Sequence, residues 1–227
     1  MKNFLILILF ATFALSFQPF AKKKVIFFGD SITRQGAEPG GYIGIIDSLS
    51  RLEKKSDNFE FVGKGIGGNK VYDLFLRFQP DVLDQKPDVV VVYVGINDVW
   101  HKTSSGTGTD YDKFGRFYDA IISTLKQRGI QPVVCTPSVI GERNDNTNPQ
   151  DGDLNYYSQW IRGYAAKNNV PLVDLRKSFQ NYLVKNNPKN EDRGILTTDR
   201  VHLNDKGNQL VANEIWKVIR KIGWQWN

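Results

Sequence analysis

The sequence predicts a single α/β domain in which five parallel strands form a sheet covered by helices on both faces. Three observations predict it. Short apolar runs of β-forming residues alternate with helical patterns from Lys24 onward, which is how a parallel sheet sandwiched by helices is written. Asp88 to Val94 holds five valines and a tyrosine with no polar break. A strand apolar on both faces belongs in the middle of such a sheet. Finally, 227 residues, 41% hydrophobic and 24% charged, make a globular chain long enough to bury roughly 70% of its unfolded surface. That composition excludes collagen-like, low-complexity and disordered classes.

Lys24 to Phe28 is the first strand, ending in Gly29. Gly41 to Lys55 places Tyr42, Ile45, Ile46, Leu49 and Leu52 at helical spacing. Phe59 to Val62 reads as the second strand, followed by the glycine-rich Gly63-Lys-Gly65-Ile-Gly67-Gly68. Val71 to Phe78 reads as a short helix stopped by Pro80. The valine run is the third strand. Tyr111 to Arg128 is a helix closed by Gly129, and Gln131 to Cys135 the fourth strand. Leu154 to Lys167 is a helix, Pro171 to Val173 a short fifth strand, and Asp205 to Ile222 an amphipathic last helix. The expected strand order is 2-1-3-4-5. Asn97 to Asp110 and Pro137 to Asp153 read as long irregular segments after strand carboxyl ends, where long loops tend to carry function.

Residues 1–21 stand apart. Lys2 precedes an apolar run from Phe4 to Phe17, too short to span a bilayer, which takes about 20 residues, and of the length of a secretory signal core. The expectation is a signal peptide over 1–21, cut after Ala21 or after Ala14, with one domain over 22–227 that is secreted or periplasmic and keeps no stable membrane insertion. An uncleaved anchor is the alternative. Four of the six net positive charges are Lys2, Lys22, Lys23 and Lys24, beside that cut. No basic face interleaved with aromatics remains, so no nucleic-acid partner is expected. Cys135 is the only cysteine, which excludes an internal disulfide and a cysteine-based zinc site. It lies in an apolar run and reads as a buried, inert thiol. His101 and His202 are the only histidines, which excludes a His-rich metal centre.

Ligands of open α/β sheets bind outside the strand carboxyl ends, near the point where the strand order reverses. There the sequence puts Gly29-Asp30-Ser31-Ile32-Thr33, Gly65-Ile66-Gly67-Gly68-Asn69 and Gly95-Ile96-Asn97-Asp98, with Asp199-Arg200-Val201-His202 just before the last helix. These clusters contain what acyl transfer requires. A serine hydroxyl needs a base, and His202 can take the Ser31 proton. Asp199, three residues earlier, would reach imidazole Nδ1 across one helical turn. The N–H groups of Ser31 and Gly67 and the side-chain amide of Asn97 suit an oxyanion hole. His101 is the other histidine that could act as a base. It reads as a substrate contact or a plain loop residue. Asp30, Asp98 and Trp100 complete the candidate substrate contacts; Asp30 equally fits a role ordering the serine turn, and Asp98 one supporting the site from behind.

The Gly-Asp-Ser, Gly-x-Asn-Asp and Asp-x-x-His blocks, with Gly67 between the first two, resemble in order and position those of the SGNH hydrolase superfamily, the GDSL-type esterases and acylhydrolases. Ser31, Gly67, Asn97 and His202 match the four residues that name it. The resemblance spans Lys24 to Ile222. It implies a flavodoxin-like three-layer α/β/α sandwich and hydrolysis of ester or related acyl bonds with neither metal nor organic cofactor. Gly40-Gly-Tyr42 and Leu203-Asn-Asp-Lys-Gly207 are similar to bacterial members acting on acetylated sugars.

Other readings fit less well. Gly63-x-Gly65-x-x-Gly68 matches a dinucleotide fingerprint, but it comes after the second strand and no acid ends the next strand at the right distance. The Gly-x-Ser-x-Gly elbow is absent around Ser31. Glu142 and Asp98 could be imagined as a glycosidase pair, but nothing singles them out. A rim of Arg34, Gln35, Tyr42, Asn69, Trp100, His101, Arg143 and Asn144 mixes aromatic and polar groups, as a sugar would want. The expected substrate is therefore a small-molecule or polysaccharide ester, acetyl on carbohydrate first. A lipid acylhydrolase or lysophospholipase and a non-catalytic binder of acylated glycans are the alternatives.

Overall fold

The computed structural model describes residues 22–55 and 58–222; the expected signal peptide lies outside them. Among the described residues five strands form one all-parallel sheet: β1 (Lys23–Gly29), β2 (Phe59–Gly65), β3 (Val89–Tyr93), β4 (Gln131–Cys135) and β5 (Leu172–Val173). Their order is β2-β1-β3-β4-β5, as the sequence leads one to expect. The helices are α1 (Ser31–Gly36), α2 (Tyr42–Leu52), α3 (Val71–Leu76), α4 (Phe78–Asp81), α5 (Ile96–Ser104), α6 (Tyr111–Gln127), α7 (Asp151–Asn168), α8 (Leu175–Asn186) and α9 (Asp205–Ile222). They cover both faces, α2 against α9 and α3 against α6. The result is a three-layer α/β/α sandwich.

The valine run occupies the third of five positions, between β1 and β4, and every residue from Val89 to Tyr93 is buried. Its continuous apolar character reflects the helices above and below it. Register then levels the working ends. Gly65, Gly29, Tyr93 and Cys135 are paired in one row across β2, β1, β3 and β4. The four segments leaving these residues therefore emerge on the same rim. Cys135 itself is fully buried, and burial pushes its thiol well up, so it stays protonated.

Several boundaries differ from the expected ones. β2 continues to Gly65 because its glycines are packing residues: a Cβ at Gly63 would lie 2.7 Å from that of Ala37, and one at Gly65 2.1 Å from the Arg34 nitrogen. This accounts for the fingerprint-like spacing without a nucleotide. Pro80 does not end a helix. α3 stops at Leu76, and Pro80 sits in the first turn of α4, where a missing N–H costs nothing. The segment from Asn97, expected to be irregular, starts as helix α5, entered directly from β3 through Gly95 at φ 126°. α8 is an element the sequence pattern does not predict; Asp174 caps it by accepting from the Lys177 N–H, and Leu175, Phe179 and Leu183 form its buried stripe. Among the described residues no helix is long and apolar enough to cross a membrane.

Candidate active site

Ser31 is the first residue of α1, immediately beyond the carboxyl end of β1. Asp30 caps the helix, its carboxylate accepting from the Ile32 N–H at 2.9 Å, and so fixes the turn that presents the serine. Asp30 is itself buried, and the Ser31 side chain reaches across to the loop before α9. Its Oγ lies 2.8 Å from His202 Nε2. His202 Nδ1 lies 2.7 Å from Asp199 Oδ2. An ionised carboxylate only accepts, so the ring proton is on Nδ1 and Nε2 is free to accept from the serine hydroxyl. Burial works against the charge on Asp199, but the bonds from the His202 ring and from the His202 and Val201 N–H groups outweigh it and hold the carboxyl below its ordinary value. The acid is therefore ionised at neutral pH.

The Asp199–His202 pair is made differently from the expected helical turn. Asp199 Oδ1 accepts from the N–H groups of Val201 (3.1 Å) and His202 (2.8 Å), and Arg200 takes φ 87°. This is an aspartate turn, which folds the chain back on itself without a helix. Its support comes from Glu142, in the loop after β4. The Glu142 carboxylate is fully buried and accepts from the N–H groups of Ile195, Leu196 and Thr197. Next to it the Gly141 N–H donates to the Arg200 carbonyl at 2.8 Å.

Gly67 and Asn97 stand on the same rim. A Cβ at Gly67 would meet nothing closer than the Arg34 guanidinium at 3.7 Å, so the protein's own packing does not demand a glycine there. Open space beside that N–H leaves room for a substrate. The next residue, Gly68, has φ 77° and forms part of the turn closed by the Asn69 N–H on the Ile66 carbonyl. Asn97, second residue of α5 and buried, donates from Nδ2 to the Asn69 carbonyl at 3.0 Å. The other Nδ2 hydrogen stays available for an oxyanion.

Of the four candidate substrate contacts, the structure separates two from the other two. Asp30 and Asp98 are sealed from solvent, so neither touches a substrate. Asp30 caps α1, and Asp98 accepts from the Val71 N–H (3.2 Å), tying α5 to α3. Desolvation raises both carboxyls, Asp30 to about 7 and Asp98 to about 6, against the lowering effect of these N–H bonds. Trp100 is half-buried and meets the His202 ring edge-on at 6.3 Å between centroids. His101, also half-buried, faces Gly68, its Cε1 3.8 Å from where a Cβ there would be. The histidine bonded to Ser31 is His202.

The expected rim is likewise divided. Tyr42 is fully buried, with its hydroxyl donating to Thr33 Oγ1, and so is not on the rim. Arg143 and Asn144 line a separate polar cavity of about 200 Å3 between the loop after β4 and α8, which none of Ser31, Gly67, Asn97 and His202 lines. Ile66, 47% exposed, stands beside Gly67 instead. Among the described residues no three His, Cys, Asp or Glu side chains come together as a metal site. Two residues that support the site are not singled out by the sequence. One is Glu142; the other is Arg77, which donates to Asn69, Gly29 and Lys64 below the rim. Neither carries a local signal, because each acts on partners far along the chain.

Residues 27–210 match the model of the GDSL-like lipase/acylhydrolase family. The chain is 30% identical to an acetylxylan esterase from Geobacillus stearothermophilus, over 90% of this chain and 95% of that protein. Among solved structures it superposes on the acetyl xylan esterase AlAXEase with a TM-score of 0.85 and 56% identity, covering 86% of this chain and 99% of the other. A variant of Axe2, an acetyl xylan esterase from G. stearothermophilus, superposes with a TM-score of 0.76 at 28% identity, covering 87% and 94%.

Proposed function

The chain belongs to the GDSL-like lipase/acylhydrolase family and is a serine carboxylic ester hydrolase of the SGNH type; on that footing we propose that it is an exported enzyme that removes acetyl groups from carbohydrate esters. Ser31 Oγ attacks the acyl carbonyl while His202 Nε2 takes its proton. Asp199 holds the imidazole and stabilises its charge once protonated. The N–H groups of Ser31 and Gly67 and the Asn97 amide receive the oxyanion, each worth roughly 100- to 1,000-fold in rate. His202 then gives its proton to the departing sugar oxygen. A water, deprotonated by the same nitrogen, attacks the acyl-enzyme and releases acetate and Ser31.

The observation that carries the mechanism is the unbroken relay Asp199–His202–Ser31, with contacts of 2.7 and 2.8 Å. For the substrate, the support is the resemblance to two proteins described as acetylxylan esterases. The half-buried Trp100 beside His202 offers a surface for a pyranose ring. For export, the support is the charged start and apolar run of residues 1–21.

A chain-length series of p-nitrophenyl esters, together with acetate release from acetylated xylan, tests this reading. Preference for acetate and release from xylan by the wild type but not by Ser31→Ala are expected. Preference for octanoate would replace it with a lipid acylhydrolase. Binding of acetylated xylan without release by either protein would replace it with a glycan-binding module.

A further inference from the structure

The three oxyanion donors proposed above come from three separate strand ends; sheet register levels those ends, and the turns beyond them are held by further bonds. We infer that Arg77 is the positioning residue that registers these turns against one another, so that it supports turnover without touching the substrate. The inference rests on the proposed oxyanion roles of Ser31, Gly67 and Asn97.

Arg77 lies between α3 and α4, with a side chain 14% exposed. Its Nη2 donates to the Gly29 carbonyl at 2.7 Å and to the Lys64 carbonyl at 3.1 Å. These are the last turns of β1 and β2. Its Nε donates to Asn69 Oδ1 at 2.7 Å, and its Nη1 to Asp81 Oδ2 at 2.6 Å. The guanidinium also lies over the Phe28 ring, 4.5 Å from its centroid.

Three of these acceptors lead to donors of the hole. Gly29 is two residues before Ser31, and its carbonyl also accepts from the Ile66 N–H, adjacent to Gly67. Lys64 precedes the turn that carries Gly67. Asn69 closes that turn and offers its carbonyl to Asn97 Nδ2. One planar cation thus bonds the ends of β1 and β2 directly and reaches Asn97 through Asn69. Asp81 and Phe28 fix it from behind, leaving its fork a single orientation. A lysine ammonium is a compact charge on a flexible stem and could not span the same acceptors. An oxyanion hole depends on donors already set about 3 Å from where the charge will develop, so loosening their mutual register lowers the rate of the chemical step more than binding.

The test compares Arg77→Met, Arg77→Lys and Asn69→Ala with wild type, alone and combined with Asn97→Ala, using p-nitrophenyl acetate. Arg51→Met, a surface arginine paired with Asp47, is the control. Arg77→Met is expected to lower kcat by about 10- to 100-fold with KM within about threefold, and Arg77→Lys to recover little of it. In the Asn97→Ala background the same change is expected to cost clearly less than in wild type, because one of the three donors it registers is already missing. A folded Arg77→Met with wild-type kcat, or losses that multiply fully with Asn97→Ala, would overturn the inference. The Asn97 side-chain amide signal in a 15N spectrum gives a readout that needs no substrate. It is expected to move and exchange faster in Arg77→Met, and an unchanged signal would overturn the inference even if the wild type hydrolysed no ester. That last result, by contrast, would be the failure of the proposed function. If Arg77→Met does not fold, Asn69→Ala removes one of the three links and carries the same test, with a kcat loss of about tenfold expected.

Discussion

Ser31 and the donors that face it rise from strand ends, whereas Asp199 and His202 stand on a loop. On the strand side the polar side chains are buried, while Gly67 stands open: Ser31 is 7% exposed, Asn97 is buried, and Asp30 and Asp98 are sealed beneath them. Position there is set several times over, by sheet register, by the Asp30 cap and by the Asp98 bond to Val71. On the loop side the Asp199 side chain is 49% exposed, and the segment before it is tied by the Glu142 carboxylate together with a bridge between Thr197 and Leu203. The difference matches what the proposed mechanism asks of each half. Oxyanion stabilisation needs dipoles that do not reorganise as charge develops. A general base must instead take up and pass on a proton twice in every turnover, once from the serine and once from a water that has to reach it.

The largest expected effect is from Ser31→Ala, which removes the meeting point of the two halves. Esterase turnover should fall by at least about 10,000-fold, measured as acetate release, while the melting temperature moves little. Asn97→Ala attacks the buried half without touching the nucleophile. It should lower kcat by roughly 100- to 1,000-fold at nearly constant KM. Glu142→Gln attacks the loop half through its anchor, replacing an oxygen that accepts a backbone N–H with an amide that repels it. A melting-temperature loss of roughly 2–8 °C and a smaller fall in kcat, about tenfold, are expected. If Glu142→Gln cost more turnover than Asn97→Ala, the assignment of rigidity to the strand side would be wrong.

The smallest effect is a change of slope. Desolvation puts the folded Asp30 carboxyl at about 7 and that of Asp98 at about 6, against an ordinary value of 3.8. The folded protein therefore holds protons that the unfolded chain has lost between these values. The stability this gives is complete below about pH 4 and is lost as pH rises toward 7. Thermal melts across that window should show a melting temperature that declines with pH from this source, and less steeply in Asp30→Asn. An identical slope in the variant would remove Asp30 as its cause.

The legible parts of this molecule are those in which a residue's chemistry and its place on a strand end coincide. The valine run of β3 announces a central strand, and Ser31, Gly67, Asn97, Asp199 and His202 each come after a strand or before the last helix. The strand order and the sandwich can be read for the same reason. Features that cannot be read depend on partners distant in sequence. α5 is hidden because its Asn97, Asp98, His101 and Lys102 blur the apolar period of Ile96, Val99 and Trp100, and because a positive-φ glycine starts it. Whether an acid is buried is decided by what packs over it, so Asp30 and Asp98 resemble substrate contacts in the sequence and are struts in the fold. Arg77 and Glu142 are ordinary charged residues until the fold brings backbone groups to them.

In the proposed mechanism, catalysis turns on Ser31 being activated by His202 where the two halves meet. Labelling of the folded protein with a fluorophosphonate, located by peptide mass spectrometry, tests this most directly. A single adduct on the peptide carrying Ser31, formed at a rate that collapses in His202→Ala and persists in His101→Ala, is the result expected. No adduct on Ser31, or labelling that survives His202→Ala unchanged, would contradict it.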